Sequence, residues 1–302
     1  MNKKISLLAA FLGLQLVIAI AIFIVGNQSS SNFISETLIR FDSAQIDKIV
    51  ISEADTEISL LQDDKQWRLA SNGLLIAQEK LTGLLDKLAG LKTTWPVAST
   101  PSSHERFEVA ENQYRRKITL LSDGNTVAEL YLGTSPGFKK SHVRMANADE
   151  VYALALNSYD LSIAENDWLD TSLLAVDLVM RITAEGYTLV KQSDQWQLQP
   201  SQEERQVLQD KVAQLAKAIA NFNVQSVIAE PPEFAPDKTM VIEVEASNGA
   251  SYVFELLADN EQYYIRRTGI EAVFSLNKYE YDRLSVLSID ALTRVNPAQT
   301  DP

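Results

Sequence analysis

The sequence predicts an α+β protein: an N-terminal transmembrane helix, then two tandem similar units, each an antiparallel sheet with one long amphipathic helix. Three observations predict this. Residues 5–25 form an uncharged apolar run, a Gln-Trp-x-Leu segment followed by a helical apolar stripe occurs twice, and an Asx-Gly hairpin pattern follows each stripe. The chain has 302 residues, 46% apolar and 22% charged. That is long enough for two domains and close to the globular average, so most of it is expected to fold in water.

The apolar run contains only Ser6 and Gln15 as clearly polar members. A helix needs about 20 such residues to cross a bilayer core, whereas the apolar region of a cleavable signal peptide is about 7 to 15. No small-x-small cleavage site appears around Ile24-Val25-Gly26-Asn27, so the run is expected to remain as an anchor. Lys3 and Lys4 precede it, and no basic residue follows until Arg40. By the positive-inside rule, residues 1–4 are a cytoplasmic stub and the body lies across the inner membrane, in the periplasm. Residues 26–45, rich in Ser and Asn at the start, read as a stalk.

The first repeat is expected over residues 46–174 and the second over 175–292, with a disordered tail at 293–302. Ile46-Asp47-Lys48-Ile49-Val50-Ile51, then Ile58-Ser59-Leu60-Leu61, then Gln66-Trp67-Arg68-Leu69 read as three short strands. Their counterparts are Val176 through Ile182, Tyr187-Thr188-Leu189-Val190 and Gln195-Trp196-Gln197-Leu198. Leu81, Leu84, Leu85, Leu88 and Leu91 then lie on one face of a helix, and Val212, Leu215, Ala216, Ile219 and Phe222 have the same spacing. Gln202-Glu203-Glu204-Arg205 after Pro200-Ser201 reads as the start signal of the second helix.

Further on, hairpins are expected around Asp123-Gly124 and Asn248-Gly249. Strand-like His142-Val143-Arg144 and Val151-Tyr152-Ala153-Leu154 correspond to Tyr264-Ile265-Arg266 and Val273-Phe274-Ser275-Leu276.

The 27 Lys+Arg against 40 Asp+Glu give a net charge of −13, opposite to the basic footprint of a nucleic-acid binder. With no cysteine there are no disulfides, thiolate metal sites or cysteine nucleophiles. The sequence shows no nucleophile elbow, phosphate loop or H-E-x-x-H motif, and His104 and His142 have no companions of catalytic type nearby in sequence. No enzyme activity, metal or cofactor is expected. Asp63-Asp64 reads as a turn and Glu203-Glu204 as a helix start, while Arg115-Arg116-Lys117 and Lys139-Lys140 read as solvated strand ends. The candidates for a ligand or partner contact are Arg144 and Arg266, at the same place in the two repeats, and Trp67 and Trp196. For the tryptophans the competing reading is packing under the helix.

The Gln-Trp-x-Leu strand, the leucine-striped helix, and Val143-Arg144 (Ile265-Arg266 in the second repeat) followed by Val151-Tyr152 resemble an uncharacterised bacterial domain family, domain of unknown function 4340. Its members look like auxiliary proteins encoded beside gliding-motility-type ABC transporters. The resemblance implies a periplasmic partner of an ABC permease and its membrane subunits, with any ATP hydrolysis supplied by another chain. An envelope scaffold without a transport role, or a hydrolase acting on envelope glycan or lipid, are the alternatives; a small-molecule or glycan ligand is not identified by any of these residues.

Overall fold

Strand alternation, read along the computed structural model, builds two sheets of the same design. The structure describes residues 11–22, 35–137 and 139–295. Helix α1 occupies residues 11–22 and exposes Phe11, Leu12, Leu14, Leu16, Val17, Ile18, Ile20 and Ile22. Among the described residues no helix is long and apolar enough to cross a membrane. The rest of the expected 5–25 anchor lies outside the described residues, as do the 1–4 stub, residues 26–34 of the stalk and residues 296–302 of the tail.

The remainder divides into two units: the first includes residues 79–163 and the chain up to Gly73, and the second combines 74–78 with the chain from Ala164 onward. In the first unit β1 (Lys48–Glu53), β2 (Thr56–Asp63) and β3 (Gln66–Leu69) lead into α2 (Gln78–Ala89). Then come β4 (Val109–Ala110), β5 (Gln113–Tyr114), β6 (Arg116–Ser122), β7 (Asn125–Leu132), β8 (Ser141–Met145) and β9 (Val151–Leu154). The large antiparallel sheet runs β3-β2-β1-β6-β7-β8-β9, and β4 pairs with β5 separately.

The register explains why this order is stable. Leu69 lies opposite Leu60, Leu60 opposite Ile49, Ile49 opposite Leu120 and Leu120 opposite Ala128, so one continuous apolar row crosses five strands. A parallel row joins Ile58, Ile51, Ile118 and Leu130. All nine side chains are buried. A slip of one residue would turn each row outward, so burial itself fixes the register. Helix α2 turns Leu81, Leu84, Leu85 and Leu88 inward, as its spacing predicted.

The second unit repeats the plan. It comprises β10 (Val179–Ala184), β11 (Tyr187–Gln192), β12 (Gln195–Gln199), β13 (Arg205–Val207), α3 (Gln209–Asn221), β14 (Thr239–Ala246), β15 (Ser251–Asp259), β16 (Gln262–Arg267) and β17 (Phe274–Leu276). Then come α4 (Lys278–Leu284), α5 (Ile289–Leu292) and β18 (Thr293–Val295). Its sheet order, β12-β11-β10-β14-β15-β16-β17, is the first unit's order strand for strand. Residues 74–78 belong here through Ile76, bridged to Leu169, and Ala77, which donates its N–H to the Trp168 carbonyl at 2.8 Å.

The helix start read at Gln202-Glu203-Glu204-Arg205 is corrected: α3 begins at Gln209. Arg205–Val207 instead forms β13 and pairs with Thr293–Val295, residues that the sequence reading had placed in the tail. Arg205 fastens the pair by donating to Asp290 Oδ1 at 2.7 Å and Thr293 Oγ1 at 3.0 Å. A backbone ladder thus outcompetes the local helix signal, which was worth only a few tenths of a kcal/mol per acidic residue.

In both units the last strand of the sheet is protected by a returning loop. The N–H of Val97 donates to the Val151 carbonyl and the N–H of Val151 to the Ala98 carbonyl, each at 2.8 Å. In the second unit Ile228 donates to the Val273 carbonyl at 2.9 Å, and Val227 is bridged to Phe274. Each loop spares β9 or β17 an open row of backbone groups.

Candidate functional site

Trp67 and Trp196, each 4% exposed, belong to the cores of their own units. The backbone of Trp196 is further bracketed by Gln209, whose Oε1 accepts from Trp196 N–H at 2.7 Å while its Nε2 donates to the Trp196 carbonyl at 2.8 Å. A side-chain amide thereby satisfies the outer groups of edge strand β12.

Arg144 and Arg266 do occupy corresponding strand positions, but their surroundings differ. Arg144 on β8 is 5% exposed. Its Nε donates to the Val109 carbonyl at 2.7 Å, and one terminal nitrogen reaches the carbonyls of Met145, Ala146 and Ala148 at 3.2, 3.3 and 3.0 Å. The guanidinium lies 4.8 Å from the centre of the Tyr131 ring, its neighbour across the β7–β8 pair. The five donors of an arginine suit this cage of acceptors and ring face, and its effect is to hold β4 on the sheet. There Val109, Tyr131 and Val151 form a small cluster with Ala98, Phe107 and Tyr114. Burial first, then the charge and hydrogen bond of Glu129, push the Tyr131 phenol up to about 12.

Arg266 on β16 is half exposed and forms an ion pair with Glu255 across the β15–β16 pair, its guanidinium 4.5 Å from the centre of the Phe234 ring. The Glu255 hydrogen bond holds its pKa above the ordinary arginine value, with burial opposing. The same position thus fastens the covering segment in each unit, through carbonyls in one and through a carboxylate and a ring in the other.

These four residues do not converge. Trp67 and Arg144 sit on β3 and β8, five strand spacings apart in one sheet. At about 4.8 Å per spacing this separates them by roughly 24 Å.

The side chains that do converge are ones the sequence reading took as solvated strand ends. In the first unit a cleft of about 620 Å³ is lined by Arg115, Gly133, Ser135, Gly137, Lys139, Lys140, Ser141 and residues 157–160. One wall is the connection between β7 and β8. Ser135 Oγ shapes its tip by hydrogen bonding to the carbonyls of Gly137 at 2.8 Å and Lys140 at 2.7 Å. Gly133 lets this connection touch the 107–108 backbone: an added Cβ would come within 1.9 Å of the Phe107 oxygen. Thr134 N–H donates to that same oxygen at 2.9 Å.

The opposite wall is an Asx turn. Asn157 Oδ1 accepts from the N–H groups of Tyr159 and Asp160 at 2.9 and 3.3 Å, and the turn leaves Tyr159 88% exposed. Asp160 is already engaged by Lys87 at 2.6 Å and by the Asn157 N–H at 3.0 Å. Arg115 pairs with Glu108 at the rim. The cleft therefore gathers basic side chains, hydroxyls and one open aromatic ring in a strongly acidic protein. A sequence signal existed: where the first repeat has Lys139-Lys140, the second has the tight turn Asp259-Asn260-Glu261.

Beside the clefts, both histidines pin the segment that Gly133 touches. His104 Nε2 is 2.9 Å from the Asp149 carbonyl oxygen, and His142 Nδ1 is 2.8 Å from Thr134 Oγ1. The His142 ring stacks on Phe107 at 4.5 Å, and burial holds its pKa below the ordinary value, with the Thr134 backbone hydrogen bond opposing.

A family model described as "Domain of unknown function (DUF4340)" matches residues 67–239. The match runs from Trp67 on β3 to the first residue of β14, so it takes in parts of both units. No curated protein and no solved structure matches the chain.

Proposed function

The chain belongs to the DUF4340 family, whose function is unknown, and we propose that it is a membrane-anchored periplasmic accessory subunit of an ABC-type transport system, binding the permease and catalysing no reaction itself. The observation that carries the anchored part is helix α1, which presents apolar side chains on every side. A helix of that kind suits a lipid or protein surround rather than the surface of a soluble body, which would need a polar face. The charge bias of Lys3 and Lys4 supports the outward orientation.

The binding role is supported by the duplicated sheet, a rigid platform that repeats the same exposed strand faces twice in one chain. The permease as partner rests on the resemblance of the Trp67 and Trp196 strands, the striped helices and the Arg144 and Arg266 positions to auxiliary proteins of that kind. The test is extraction of the tagged full-length protein in mild detergent and identification of what accompanies it. Recovery of permease and nucleotide-binding subunits in fixed proportion is expected. Recovery of envelope proteins without any transporter subunit would replace the transport reading with a scaffold.

A further inference from the structure

Two units built on one strand order should carry the same connections unless one of them has a separate task, and they differ most clearly between the fifth and sixth strands of the sheet. In the second unit β15 and β16 are joined by the two-residue turn Asn260-Glu261, both residues at positive φ, and the flanking Asp259 adds to its negative charge. In the first unit β7 ends at Leu132 and β8 begins at Ser141, so the ladder opens there and the chain between them is longer and basic. Gly133 bends that chain over the Phe107 carbonyl, which turns Lys139 and Lys140 toward the wall that carries Ser158 and Tyr159. Arg115 joins them from the start of β6.

The electrostatics select the ligand class. The nearest acid in the cleft, Asp160, already accepts from Lys87 and a backbone N–H, and Glu108 is taken by Arg115. What the cleft presents to solvent is therefore a set of cationic donors, with hydroxyls beside them. Guanidinium and ammonium groups together match the several oxygens of a phosphate better than the two of a carboxylate. A volume of about 620 Å³ holds more than an inorganic ion and is typical of an organic ligand site. Tyr159, exposed at the rim, offers its face to a ring or polyol attached to the phosphate.

We propose that this cleft of the first unit binds a phosphate ester, with Arg115, Lys139 and Lys140 taking the phosphate and Tyr159 the attached polyol or sugar. The site is independent of the transport reading: it would exist equally in a scaffold. The phosphate can come from a soluble sugar phosphate or from a lipid headgroup, and one titration distinguishes the sources.

The full chain in mild detergent is titrated calorimetrically with glucose 1-phosphate, with dihexanoyl phosphatidylglycerol below its micelle concentration, and with inorganic phosphate; glucose and dihexanoyl phosphatidylcholine are the controls. At least one of the two esters should bind about tenfold more tightly than its control, and the tighter ester names the source. Lys139→Glu/Lys140→Glu should weaken that ester by at least about tenfold, whereas Lys211→Glu/Lys217→Glu, the same charge change on α3, should leave it within about twofold. Tyr159→Ala should bring the ester's affinity down to that of inorganic phosphate. The proposal is overturned if neither ester binds better than its control, or if the α3 pair weakens binding as much as the cleft pair. Circular dichroism of each variant confirms that folding is retained; the cleft substitutions are at exposed lysines, so a weakened affinity is read on a folded chain.

Discussion

Gly133 and Phe107 are in direct backbone contact: an added Cβ at Gly133 would lie 1.9 Å from the Phe107 oxygen and 2.6 Å from that of Glu108. Both obstacles are main-chain atoms, so no rotamer change relieves the clash. Gly133→Ala should destabilise the first unit by about 3 kcal/mol, at the upper end of overpacking costs. Urea unfolding measures this, and hydrogen exchange should show faster exchange at the N–H of Thr134. A change below about 0.5 kcal/mol, the size of an ordinary surface substitution, would mean that the contact is not as close as drawn.

Arg144 and Arg266 should respond differently to the same substitution. Arg144→Met leaves the carbonyls of Val109 and Ala148 without their charged donor in a buried place. A cost of about 3 kcal/mol and loss of exchange protection across 109–114 are expected. Arg266→Met removes a half-exposed ion pair, worth about 1 kcal/mol or less. Equal losses at the two sites would contradict the distinction between a carbonyl cage and a surface pair.

Trp67→Ala and Trp196→Ala should each cost about 3 to 5 kcal/mol, because each indole is removed from a buried position with no room for collapse. Calorimetry on the single variants gives the test. If either variant keeps its melting temperature while partner recovery falls, that tryptophan serves a surface and not a core.

Acidification should loosen the segment held by His142. Burial keeps the folded pKa of this imidazole below the ordinary value of 6.5, so the unfolded chain takes up its proton first as pH falls. The stabilising contribution is complete above about pH 6.5 and is lost as pH falls through that value toward the folded pKa. Arg106, 5.4 Å from the Phe107 ring on which His142 stacks, adds a further positive charge to the neighbourhood. Urea midpoints measured from pH 7.5 to 5.0 should decline more steeply for the wild-type chain than for His142→Gln. Parallel curves would show that His142 does not titrate in this range.

Much of the architecture was legible because its signals are local. Alternation marked Ile49 and Ile51, Ile58 and Leu60, Ile118 and Leu120 as inward residues. The 3, 1, 3 spacing of Leu81, Leu84, Leu85 and Leu88 marked the buried face of α2, and Asp123-Gly124 marked the β6–β7 turn. Comparison of the chain with itself then gave the matched order of elements, since the same apolar periods recur in both repeats. The candidate cleft was half visible: Lys139-Lys140 and Arg115 stood out as basic, but nothing near them in sequence gave them a shared destination.

What the sequence determined by itself is therefore the set of elements and their duplication, because a strand or helix period is written in residues two to four positions apart. Tertiary structure decided the pairings of distant segments. It sent Arg205–Val207 to Thr293–Val295 rather than into a helix, and surrounded Arg144 with carbonyls from 109 and 145–148. It also used Gly133 to bend a hairpin until Arg115, Lys139 and Lys140 faced Tyr159. The physical reason is that a backbone donor or a buried cation is satisfied by whichever acceptor the fold brings within about 3 Å, and the identity of that acceptor has no period along the chain.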